Sequence, residues 1–81
     1  MSDRTSASDL IARLGIQLRD RRRALGLTQE EVAELAETTQ RFVSTLETGK
    51  PTVRLDKVVD VANVLGLVLS LEARTSAGPS R

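Results

Sequence analysis

The chain has 81 residues, 12 of them basic and 11 acidic, with a formal net charge of +1 and 40% hydrophobic content. That length admits one small domain whose core gives limited stability, so self-association would help it. Cysteine and histidine are absent, which removes disulfides, thiolate chemistry, Cys/His metal sites and the commonest general base; with no spacing that suggests a Ser or Thr nucleophile, the chain reads as a non-enzyme without cofactor or metal.

Met1 to Ala7 is polar and reads as a flexible N-terminus. Ser8 can cap a first helix from Asp9 to about Leu25, with Gly26 as its stop. Ile11, Leu14, Leu18 and Leu25 recur at helical spacing and form its buried stripe, while Gly15 lets another backbone come near. Arg19, Arg21, Arg22 and Arg23 crowd the end of this helix. They form either a solvated surface with favourable dipole contacts or part of a basic face. A nearly neutral chain can carry such a face, because Glu30, Glu31, Glu34 and Glu37 gather elsewhere.

Thr28 to Glu47 reads as two short helices with a tight break. Thr28 and Glu31 make a capping box, and Val32, Ala33 and Ala36 give the first of the two a small apolar face. The break is Glu37-Thr38, and Thr39 is a good N-cap for the second. That helix buries Val43 and Leu46, turns Arg41, Ser44, Thr45 and Thr48 outward, and places Phe42 on the flank of the buried face. Small residues on one helix let the other cross it steeply, which is helix-turn-helix geometry.

After Gly49-Lys50-Pro51, Thr52 is the expected cap of a fourth helix over Val53 to Leu65, stopped by Gly66, with Leu55, Val58, Val59, Ala62 and Leu65 facing the core. The period then changes to two: Leu67, Leu69 and Leu71 share one side of a strand over 67–73. No second strand appears in the chain. A lone strand is unstable, so it is expected to pair with its copy in an antiparallel ribbon about a two-fold axis. An extended tail packed on its own domain, or a longer fourth helix, is the alternative. Residues 74–81 read as a disordered tail. The expected organisation is thus 1–7, an 8–66 helix-turn-helix domain, 67–73 and 74–81. No apolar run approaches membrane-spanning length and no signal peptide precedes the domain, so a cytoplasmic protein is expected.

Thr28-Gln29, Ala33, the turn at Glu37, Val43, Leu46 and the following Glu47-Thr48-Gly49-Lys50 resemble the helix-turn-helix of phage-repressor and Cro regulators, the XRE type. Leu14 to Arg22 is similar to that family's first helix. The turn position is usually Gly because it needs positive φ, so Glu37 departs from the pattern and must be strained there. The ending, GKPTVRLDKVVDVANVLGL followed by Leu67-Val68-Leu69-Ser70-Leu71, narrows the resemblance to HipB-type antitoxins, over Asp9 to about Ala73. The fold expected is therefore mostly α: a four-helix repressor-like domain with one C-terminal β-strand pairing in a dimer.

The resemblance implies a homodimeric repressor of its own operon, bound to a palindromic double-stranded operator, which also holds a HipA-like kinase toxin inactive. It implies an ion pair between Arg22 and Glu47 beneath the recognition helix. By family position, Thr39, Gln40, Arg41, Ser44 and Thr45 face base edges, and Gln29 meets the phosphate backbone. Gln40 can pair with adenine and Arg41 with guanine. Thr28, Lys50 and Arg54 flank the motif and are further phosphate candidates. Thr39 has the competing role of cap alone, and Phe42 that of packing. A stand-alone regulator without a toxin, and an interaction module using the motif only as a scaffold, are the other functions; the polar outer face of the second motif helix argues against the latter.

Overall fold

Among the described residues four helices follow one another, and each stops in the same way. The computed structural model describes residues 6–73; the sequence expectations for 1–5 and for the tail over 74–81 lie outside the described residues. Helix α1 spans Ala7–Ala24, α2 Gln29–Leu35, α3 Gln40–Glu47 and α4 Leu55–Val64. Two residues past each helix the backbone turns left-handed, at Gly26 (φ 73), Glu37 (φ 57), Gly49 (φ 80) and Gly66 (φ 72). The next amide then folds back onto a carbonyl five residues earlier: Leu27 to Arg22, Thr38 to Ala33, Lys50 to Thr45 and Leu67 to Ala62. This pairing satisfies carbonyls that the helix would otherwise leave bare. Glu37 thus occupies the strained position expected of it, and the Lys57 amine donates to its carbonyl at 3.0 Å from α4.

The starts follow the sequence at α2 and α3. Thr28 and Glu31 form the full capping box, and Thr39 accepts from the Phe42 amide. Helix α1 starts earlier than expected: Ser6, not Ser8, is its cap, taking the Asp9 amide, and Ala7 is already helical. Helix α4 is shorter at both ends than the expected Val53 to Leu65. Val53 instead packs against the core from outside the helix, and Arg54, extended, holds the N-cap position without a side-chain cap bond.

The core comprises Leu18, Val32, Ala33, Ala36, Val43, Leu46, Val58, Val61, Ala62 and Leu65. Leu14, Leu27, Phe42 and Leu67 pack at its margin. Helix α3 lies mainly against α2 and then α1, and α4 packs on α2. Three expected core positions are exposed. Leu55 and Val59 are 67% and 36% accessible, while Val61 is buried in their place. The run VVDVANVL is apolar nearly all round, so its period alone leaves the phase open; the entry at Arg54 sets it. Leu25 is exposed because it is the C-cap of α1, beyond the stripe, and Leu27 turns inward instead. At Gly15 the expectation of close approach holds: a Cβ there would lie 2.9 Å from the Glu47 carbonyl oxygen and nearer still to that of Leu46.

No strand occurs among the described residues, so the expected strand over 67–73 is not formed within one chain. Leu67 is half-buried against the core, and Leu69 and Leu71 are exposed, Leu71 completely. A strand needs a ladder partner, and the four helices offer none.

Arg22 and Glu47 clamp α1 to the end of α3. The guanidinium donates Nε to Glu47 Oε2 at 2.6 Å and Nη2 to Oε1 at 3.1 Å, and its Nη1 donates to the Leu27 carbonyl at 2.8 Å. Both side chains are about nine-tenths buried, at 10% and 6% accessibility. Burial alone would raise the Glu47 pKa, but hydrogen bonds from Arg22 and Gln29 and the charges of Arg22 and Arg23 outweigh it and hold the carboxyl below its ordinary value. At Arg22 the Glu47 hydrogen bond outweighs burial, and the pKa rises.

Two expectations follow from these contacts. Glu37→Gly relieves the left-handed strain and should stabilise the fold by about 1 kcal/mol in urea unfolding; a loss would mean that the Glu37 side chain contributes. Glu47→Gln leaves a buried Arg22 charge uncompensated and should cost about 3 kcal/mol near neutrality. Because the folded Glu47 pKa is depressed, its contribution is complete above the ordinary carboxylate pKa of about 4.3 and is lost as pH falls through the lower folded value. The stability gap between wild type and Glu47→Gln should therefore shrink on acidification, and a gap independent of pH would contradict this account.

Candidate nucleic-acid interface

Helix α3 divides sharply by side-chain chemistry. Val43, Leu46 and Glu47 are buried, Gln40 and Arg41 are exposed, and Ser44 and Thr45 are half-buried. Thr39 is committed to capping, with its hydroxyl accepting the Phe42 amide at 3.1 Å. Phe42 packs at the core margin, as its position on the flank suggested.

The buried ion pair reaches this surface through two glutamines. Glu47 Oε1, besides its bond from Arg22, accepts the Gln29 side-chain amide at 3.0 Å. Gln29 Oε1 in turn accepts from Gln40 Nε2 at 2.8 Å. The chain has a polarity that follows from its anchor. An ionised carboxylate only accepts, so Gln29 must turn its NH₂ group inward and its oxygen outward. That oxygen needs a donor, so Gln40 must present its own NH₂. Gln40 is left with an unused oxygen and a second N–H side by side. One acceptor beside one donor is the pattern that matches N6 and N7 of adenine in the major groove.

The flanking candidates differ in their readiness for phosphate. Gln29 opens α2, and Thr28 precedes it as the cap, taking the Glu31 amide at 3.0 Å. Lys50 is exposed just past α3, and neither it nor Arg41 is in an ion pair among the described residues. Arg54 is exposed but occupied: its Nε and Nη2 donate to the two Asp56 carboxylate oxygens at 3.2 and 2.7 Å. Of the arginines crowding α1, Arg21 donates to the Leu65 carbonyl at 2.8 Å and Arg22 is buried in its pair. Arg23 is exposed and close enough to Glu47 to act on its charge.

Sequence reasoning missed Asp56, Lys57 and the Glu47–Gln29 link. Asp56 lies two residues from Arg54, a spacing that faces nothing in a helix; the extended backbone at Arg54 brings the two together. The Lys57 bond to the Glu37 carbonyl and the bonds of the glutamines form only through the packing of elements distant in sequence. An open apolar cleft of about 310 Å³ lies between α1 and the segment after α4, lined by Leu14, Leu18, Ala62, Leu67 and Leu69, with Gln17 and Asp20 also beside it. Among the described residues no group of acidic side chains could hold a metal ion, and no helix is long and apolar enough to cross a membrane.

With this geometry in view, the relatives are informative. Residues 13–74 match the model of a helix-turn-helix domain family. An uncharacterised HTH-type transcriptional regulator of Sinorhizobium fredii is 37% identical over 62 residues, spanning 76% of this chain and 82% of that protein. The crystal structure of the restriction-modification controller protein C.AhdI from Aeromonas hydrophila is similar with a TM-score of 0.70 and 28% identity, over 79% of this chain and 93% of that one. The family match runs from within α1 through α4, the turn at Glu37 included, and the chain belongs to the XRE-type helix-turn-helix family of DNA-binding transcriptional regulators.

Proposed function

We propose that this chain is a sequence-specific repressor that binds a palindromic DNA duplex as a homodimer, with α3 in the major groove. The observation that carries the reading is the hydrogen-bonded series from Glu47 through Gln29 to Gln40, which holds one donor and one acceptor at the exposed start of α3. Gln40 and Arg41 read bases, with Ser44 and Thr45 behind them and Thr39 at the helix start. Thr28, Gln29, Lys50 and Arg54 are the phosphate contacts that set register. A DNA-binding role supports the cytoplasmic location expected from the sequence.

The dimer reading rests on residues 67–73. Leu71 is fully exposed, and an alternating apolar segment with no ladder partner among the described residues is suited to pairing with its own copy. The finer role of antitoxin to a HipA-like kinase rests on the resemblance of this ending alone. Neither relative is described as an antitoxin; a kinase gene beside this one would favour that role over a stand-alone regulator.

Wild-type protein should sediment as a dimer and select, from randomised duplexes, a palindrome with half-sites about 34 Å apart. Its affinity should fall steeply with salt. Leu71→Asp costs the single chain no packing and should yield a folded monomer; a persisting dimer would place the interface elsewhere. Gln40→Ala with Arg41→Ala should keep the helical content and melting temperature but lose about 2–6 kcal/mol of base discrimination. Unchanged operator preference in the double variant would remove α3 as the reading helix.

A further inference from the structure

Of the two cations expected at the DNA backbone, Lys50 and Arg54, only Arg54 is met by a carboxylate among the described residues. The pairing is a two-pronged fork, and Asp56 Oδ1 is also fixed by the Lys57 amide at 2.9 Å. Asp56 is therefore tethered to the start of α4, where Arg54 supplies no side-chain cap of its own. We propose that Asp56 is a specificity-determining residue: it holds Arg54 as an internal substitute for a DNA phosphate and so limits the grip on duplexes of arbitrary sequence. This inference rests on the DNA-binding reading above.

The physical reason is one of charge count. Affinity for DNA without regard to sequence comes from phosphates neutralised and counterions released. A guanidinium already neutralised by a carboxylate adds little to that count. The pair is largely exposed, at 71% and 62% accessibility, so it is weak enough to open when a phosphate is held in register by base contacts. A well-matched site supplies that register and an arbitrary one does not. Asp56 thus subtracts more from non-specific than from specific binding, and the ratio between them rises.

The test uses the full chain and two probes: a duplex of about 30 base pairs with scrambled sequence, and the duplex that wild type selects from a randomised pool. Binding is followed by fluorescence anisotropy between about 50 and 200 mM salt. Asp56→Asn keeps an acceptor for the Lys57 amide but removes the charge. It should tighten binding to the scrambled duplex and steepen the slope of log affinity against log salt by about 0.9, which is about threefold more affinity lost across that range. Its preference for the selected duplex should narrow, and the gain should vanish when Arg54→Ala is added. Unchanged affinity and slope in Asp56→Asn would overturn the proposal, as would a gain that survives Arg54→Ala, since Asp56 would then act only as a general surface charge. If neither wild type nor the variants bind either duplex, the DNA-binding reading itself fails and takes this inference with it.

Discussion

One buried ion pair, Arg22 with Glu47, sets the position of everything the surface of α3 can do. It joins the end of α1 to the end of α3 and is satisfied on both sides: the guanidinium also reaches the Leu27 carbonyl, and the carboxylate also takes Gln29. A half-satisfied buried charge would be a liability, because desolvation would exceed the Coulombic gain. Full satisfaction converts it into an anchor with a definite hydrogen-bond direction. That direction is transmitted outward, so an acceptor-only group in the interior decides which way an amide faces at the surface. In the proposed reading, structure and recognition chemistry are the same set of bonds.

The anchor works because backbones come close at Gly15 and because each helix stops sharply. Gly15 lets α1 touch the last turn of α3, and the positive-φ turns end each helix within two residues, so that the connections stay short. Using one stop device four times is economical for a small domain with a modest core. The exception, Glu37, lies in the break between α2 and α3, where Lys57 reaches its carbonyl from α4. The strained residue is therefore held by contact with another helix, not left to local preference alone.

A near-neutral chain can still present a cationic surface to DNA, because some of its cations are engaged internally and others are not. Arg21 is tied to the end of α4, Arg22 to Glu47, Lys57 to Glu37 and Asp60, and Arg54 to Asp56. Arg41 and Lys50 are in no ion pair among the described residues. Net charge is a poor guide in this setting; what matters is which cations lack an internal partner. The division between spent and available charges follows from tertiary contacts, and so does the polarity of Gln40.

Local signals in the sequence determined much of this architecture. The capping box at Thr28, the cap at Thr39, the stops at Gly26, Gly49 and Gly66, and the apolar spacing of Val32, Ala33, Ala36, Val43 and Leu46 all act within a few residues. Such interactions are set by neighbours along the chain, so they can be read without knowing the fold. The motif residues of the family resemblance also imply the pairing of Arg22 with Glu47, which the structure contains. Tertiary structure decided the rest. It chose which face of an almost wholly apolar α4 is buried, exposing Leu55 and Val59 in favour of Val61, because that phase depends on where the chain enters from Val53. It linked Glu47, Gln29 and Gln40 across separate helices, and it let the bend at Arg54 bring Asp56 into reach. For residues 67–73 the alternation of Leu67, Leu69 and Leu71 is a local property, but a strand exists only with a partner, and one chain supplies none.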